Sequence, residues 1–193
     1  MLQEGVNQAW PTVSRPQPLL REGFLSGLRR SRAARSGDAS ASGTKVRKVM
    51  AVASGGGHWV QLQRLRPVLA LNDVVFVTTD PGYAEEVAPH RARFVNDASR
   101  DSKLGLVALA IRMAWILLQE RPDVVISTGA APGYFALRLG RLFGARTIWL
   151  DSIANVDEMS MAGRLARPYA DLWLTQWPHL ASQDGPQFAG AVL

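Results

Sequence analysis

The sequence predicts an α/β fold, a Rossmann-like open parallel sheet, and three observations predict it. Short apolar runs are continuous and not alternating, as in strands buried on both faces. Segments with helical periodicity separate those runs, which implies right-handed crossovers and a doubly wound sheet. A triple-glycine loop directly follows the first run, where such folds place a ligand.

The elements follow in order. Strands are expected at Val49-Met50-Ala51-Val52-Ala53, Val74-Val75-Phe76-Val77, Val124-Val125-Ile126 and Thr147-Ile148-Trp149-Leu150, with Leu172-Trp173-Leu174 a shorter fifth. Helical patterns occupy 58–71, 81–88, 103–120, 132–143 and 160–169. The helix at 103–120 is apolar nearly all round. That composition suits a core helix, or one whose second face meets a membrane or a partner. Arg112, with Arg100, Lys103 and Arg121 beside it, would suit an anionic bilayer surface.

Residues 1–44 read as a disordered basic leader, and 45–193 as the folded domain. Pro11, Pro16 and Pro18 precede an Arg-Ser-Ala-Gly stretch whose few apolar residues cannot offset the entropy of ordering. Residues 1–48 hold nine Lys or Arg against three acids, a net of +6, whereas 49–193 are balanced. The basic character belongs to the leader, so a nucleic-acid-binding fold with a basic folded face is not expected. The segment 28–35 can attract anionic lipid or simply remain solvated. No run reaches the roughly 18 apolar residues of a membrane span, the nearest, Leu104 to Leu118, being too short and carrying Arg112, and no secretory signal pattern opens the chain. Cysteine is absent, and the three histidines, His58, His90 and His179, lack metal-ligand spacing. Neither a metal nor a cofactor is expected.

The polar chemistry collects at the ends of the expected strands. Ser54-Gly55-Gly56-Gly57-His58, Thr78-Thr79-Asp80, Ser127-Thr128-Gly129, Asp151-Ser152-Ile153-Ala154-Asn155 and Thr175-Gln176-Trp177-Pro178 would all lie on one rim. The loop of Ser54, Gly55, Gly56 and Gly57 allows close backbone approach, and the next helix presents unpaired amides, so phosphate or pyrophosphate is the expected ligand. Without a ligand, the same residues make a tight strand-to-helix turn. His58 can be a general base, a donor to a phosphate oxygen, or a residue solvating the turn. Ser127, Thr128 and Gly129 form a second small-residue loop, which either touches sugar or phosphate or caps the next helix. Asp80, Asp151, Asn155 and Gln176 are candidate sugar or interface contacts. A nicotinamide site competes for the first loop, with Asp80 as the ribose acid, but its fingerprint needs glycine or alanine where Val60 stands.

Taken in order, Ala53-Ser54-Gly55-Gly56-Gly57-His58, Ile126-Ser127-Thr128-Gly129-Ala130, Ile148-Trp149-Leu150-Asp151-Ser152, Ser160-Met161-Ala162-Gly163-Arg164-Leu165 and Thr175-Gln176-Trp177-Pro178 resemble the asparagine-linked glycosylation protein 14 family, including its bacterial exopolysaccharide members. The resemblance runs from about Val46 to Leu193. It implies the N-terminal half of a GT-B glycosyltransferase, paired with a second subunit that supplies the nucleotide-sugar site. The implied activity is hexosyl transfer from a nucleotide-sugar to a polyprenyl-diphosphate-linked saccharide. On that resemblance the loop at Gly55–His58 approaches the acceptor diphosphate. A non-catalytic recruiting role is the alternative. Eukaryotic members carry a membrane-spanning anchor where this chain has its basic leader, so attachment is expected to be peripheral, at the inner face of the cell membrane. The length fits one such half, since a whole GT-B enzyme needs about twice as much chain.

Overall fold

The computed structural model describes residues 46–98 and 102–192, and the expected leader at 1–44 lies outside them. Seven parallel strands form one sheet in the order β3-β2-β1-β4-β5-β6-β7. The strands are β1 (Lys48–Val52), β2 (Asp73–Thr78), β3 (Arg91–Phe94), β4 (Val124–Ser127), β5 (Arg146–Leu150), β6 (Leu172–Thr175) and β7 (Gln187–Phe188). The helices are α1 (Gly57–Arg64), α2 (Arg66–Leu69), α3 (Lys103–Glu120), α4 (Ala130–Leu142) and α5 (Met161–Ala166). Three 3-10 turns, Pro81–Val87, Arg167–Tyr169 and Pro178–Leu180, complete the described elements.

The continuous apolar runs explain why β1 lies inside the sheet, between β2 and β4. Met50, Ala51, Val52 and Ala53 are wholly buried, because helices cover both faces. On one face Met50, Val52, Val125 and Trp149 pack with Leu109, Met113, Ile116 and Leu117 of α3 and Ala136 and Leu137 of α4. On the other, Phe76 meets the ring of Trp59 from α1 at 6.0 Å. Each of these larger side chains contributes about 1.5–3 kcal/mol on burial.

Departures from the expected elements have local causes. The helix expected over 58–71 is two helices, because Pro67 lacks an amide and restarts the chain as a first-turn residue of α2. The segment 81–88 is a 3-10 turn started by Asp80, whose carboxylate accepts from Gly82 N–H. Pro168 converts the end of the 160–169 helix into a 3-10 turn. Strands β3 and β7 were absent from the expected set. Arg91-Ala92-Arg93-Phe94 alternates polar and apolar residues, and Gln187-Phe188 is too short to carry a pattern.

One ion cluster ties the sheet's lower end to α3. The side chain of Glu120, 2% exposed, pairs with Lys48 at 2.8 Å, Arg91 at 2.8 Å and Arg93 at 2.7 Å. Burial alone would raise its pKa, but hydrogen bonds from Lys48 and Arg93 and the charges of Lys48 and Arg91 prevail and hold it below the ordinary value.

Candidate functional site

Because every strand is parallel, all strand exits share one rim. The register sets Val52 level with Val77 and Ser127, and Ser127 level with Trp149. The loops after β1, β2 and β4 therefore lie side by side.

The glycine loop is built from several elements. Gly56 precedes α1 at φ 66°, a left-handed conformation that glycine adopts without steric cost. Gly55 N–H donates to Thr79 Oγ1 and Gly56 N–H to the Tyr83 hydroxyl, each at 3.2 Å. Tyr83 in turn stacks on Trp59 at 4.6 Å between centroids, and Trp59 Nε1 donates to Glu86. Thus two loop amides hold the loop in place. The amides of Gly57, His58 and Trp59 have no acceptor among the described residues, and no side chain caps α1.

The second loop repeats the arrangement. Gly129 precedes α4 at φ 146°, followed by Ala130 at φ 64°, and α4 also lacks a side-chain cap. The amides of Ala130 and Ala131 are without acceptors among the described residues. Ser127, wholly buried, accepts from Gly129 N–H at 3.1 Å. Thr128 Oγ1 donates to the His58 carbonyl at 2.7 Å and so stitches the two loops together.

His58 stands where the two helix starts meet. A Cβ at Gly129 would fall 2.8 Å from the imidazole Cε1 and 2.9 Å from Nδ1, so the ring lies flat against a position that must be glycine. Neither ring nitrogen has a hydrogen-bond partner among the described residues. Burial pushes its pKa below the ordinary histidine value, and the charge of Asp151 offsets this only in part. The imidazole is accordingly neutral at pH 7 and able to accept a proton.

The other candidate residues take different places. Asp80 is exposed and caps its own turn through Gly82. Asp151 is buried, and its carboxylate accepts from Trp149 Nε1, Ser160 N–H, Ser160 Oγ and Asn155 Nδ2. It organises the 151–160 loop from within, and Asn155 belongs to the same set of bonds. Gln176 is buried too. Its amide nitrogen donates to Gln61 Oε1 and to the Asp151 carbonyl, and its oxygen accepts from Val192 N–H. Gln61 donates onward to Ser152 Oγ. Ser54, Gly55, Gly56, Gly57, His58, Ser127, Thr128 and Gly129 thus come together at the two helix starts, whereas Asp151, Asn155 and Gln176 support the rim from beneath.

Tyr83, Thr79 and Gln61 were not among the candidates. Tyr83 lies 27 residues from the amide it holds, and nothing local to either segment signals the contact. Gln61, a polar residue placed three positions after His58 on the buried side of α1, carried a usable signal.

The family described as "Oligosaccharide biosynthesis protein Alg14 like" matches residues 77–192. The UDP-N-acetylglucosamine transferase subunit ALG14 of Eremothecium gossypii is 29% identical over 169 residues, covering 71% of this chain and 75% of that one. That of Yarrowia lipolytica is 30% identical over 100 residues, 48% of this chain and 46% of its own. Among solved structures, Acinetobacter baumannii MurG superposes with TM-score 0.60 at 13% identity, covering 74% of this chain and 45% of MurG. A UDP-N-acetylglucosamine 2-epimerase from Rickettsia bellii gives 0.59 at 13% identity, over 76% of this chain and 45% of its own. At such identity the likeness is one of fold, and the chain spans less than half of either structure.

Proposed function

The chain belongs to the Alg14-like family of oligosaccharide-biosynthesis proteins, and from that premise we propose that it is the acceptor-side subunit of a two-part GT-B glycosyltransferase. A second subunit supplies most of the nucleotide-sugar site. The relatives are named as UDP-N-acetylglucosamine transferase subunits, which supports a UDP-sugar as the donor class. The acceptor is a polyprenyl-diphosphate-linked saccharide held at the inner face of the cell membrane.

The observation that carries this reading is the meeting of two uncapped helix starts at the ring of His58. Each start offers open amides and a positive dipole end, the arrangement that favours phosphate oxygens. Two such starts side by side suit a diphosphate. His58 then takes the proton of the acceptor hydroxyl as its oxygen bonds to the anomeric carbon, and the bond from that carbon to the diphosphate of the donor breaks. The leaving UDP keeps the electron pair. The dinucleotide alternative has no support from the family match.

The test is reconstitution with the partner subunit and a UDP-sugar. His58→Ala lowers turnover by about 10²–10⁴, the usual loss for a general base, while the two chains still co-purify. An undiminished rate in the assembled complex assigns the chain a recruiting role instead.

A further inference from the structure

Helix α3 carries an outward face that neither the core nor the rim uses. Leu104, Val107, Ile111, Trp115 and Leu118 are all exposed, Leu104 at 85% and Ile111 at 66%. At ~100° per residue they fall within an arc of roughly 80°, one continuous stripe along the helix. The opposite side supplies Leu109, Met113, Ile116 and Leu117 to the core, so among the described residues the stripe is surplus to packing.

What borders the stripe decides its partner. Arg112 flanks it on one side, and Lys103 and Arg121 lie on the other, at the two ends of the helix. None of these three forms an ion pair among the described residues. The one acid of α3, Glu120, is turned inward and consumed by Lys48, Arg91 and Arg93. An apolar strip edged by cations that form no ion pair among the described residues, although Arg112 Nε donates to the Phe94 carbonyl, on a helix with no outward carboxylate, complements the headgroups and acyl boundary of an anionic bilayer. No helix among the described residues is long and apolar enough to cross a membrane, so the contact must lie in the plane of the surface. The face also lies on a layer of the sheet and not on the rim, where a subunit completing the cleft would sit.

We propose that the outer face of α3 is a membrane-binding surface that seats on anionic lipid through its apolar stripe and its flanking cations. The proposal deepens the membrane part of the reading above, but vesicle binding needs neither donor nor partner subunit, so the two can fail separately.

The full chain is sedimented with vesicles of phosphatidylcholine alone and with about one third phosphatidylglycerol. Binding is expected on the anionic vesicles and should weaken as salt rises, since the Debye length shortens from ~10 Å at 0.1 M to ~3 Å at 1 M. The double variant Ile111→Asp, Trp115→Asp should lose about tenfold or more in partitioning, with its circular dichroism unchanged. A leader variant, Arg29→Ser, Arg30→Ser, Arg32→Ser, Arg35→Ser, should keep the α3-dependent binding. As a second measurement, brominated acyl chains should quench the tryptophan emission of the unaltered chain, and Trp115→Phe should remove most of that quenching. Full binding by the double variant, loss confined to the leader variant, unchanged quenching in Trp115→Phe, or an effect of the double variant on subunit assembly alone would each overturn the proposal.

Discussion

Gly129 lies directly against the imidazole of His58, with room for no carbon between them: a Cβ there would sit 2.8 Å from Cε1 and 3.0 Å from Nε2. Gly129→Ala must therefore push the ring aside, and it also places alanine at φ 146°. The backbone cost is about 1–3 kcal/mol. Turnover of the assembled enzyme should fall by about 10²-fold, the usual effect of an ångström-scale misplacement of a reacting group. Steady-state kinetics alongside a thermal melt separates the two effects, and normal turnover would show that the ring has no part in the reaction.

The acid side of the pH–rate curve follows from the burial of His58. Its pKa is depressed below the ordinary 6.5, chiefly by burial, with Asp151 opposing. A base must be neutral, so the acid limb of kcat/KM should lie below 6.5. The same shift makes the unfolded chain the better proton acceptor, so this residue's contribution to stability is present above 6.5 and declines as the pH falls from there towards the folded value. An acid limb above 6.5 would contradict the assignment.

Glu120 gives a stability prediction far from the site. Its folded pKa lies below the ordinary 4.5, so its contribution is fully present above 4.5 and is lost as pH falls through the folded value. Glu120→Gln should cost about 1–3 kcal/mol at neutral pH, because three cationic donors lose a charged acceptor. It should also flatten stability below pH 4.5. Denaturant melts at pH 7 and pH 4 measure both effects, and the difference between the two proteins should shrink at the lower pH.

The sheet was legible because its strands are continuous apolar runs. The run Val49 to Ala53 announces a strand buried on both faces, and β1 lies in the interior of the sheet between β2 and β4. The edges were not legible. Arg91 and Arg93 in β3 are placed by long-range ion pairs with Glu120, and no local pattern encodes them. The site divides in the same way. Glycine spacing and strand position exposed the two loops, since those signals are local. That Asp151 and Gln176 turn inward depends on partners as distant as Ser160, Gln61 and Val192, which only the fold brings near.

Glu120 has a mechanical consequence at the opposite side of its helix. By holding the last turn of α3 to Lys48 of β1 and to Arg91 and Arg93 of β3, it prevents the helix from rolling about its own axis. Eighteen residues make a rod of about 27 Å, and a rod locked against rotation fixes the attitude at which the domain can rest on a flat surface. The height and tilt of the two glycine loops above that surface would then be constants of the fold, set by one carboxylate on the inward side of the rod.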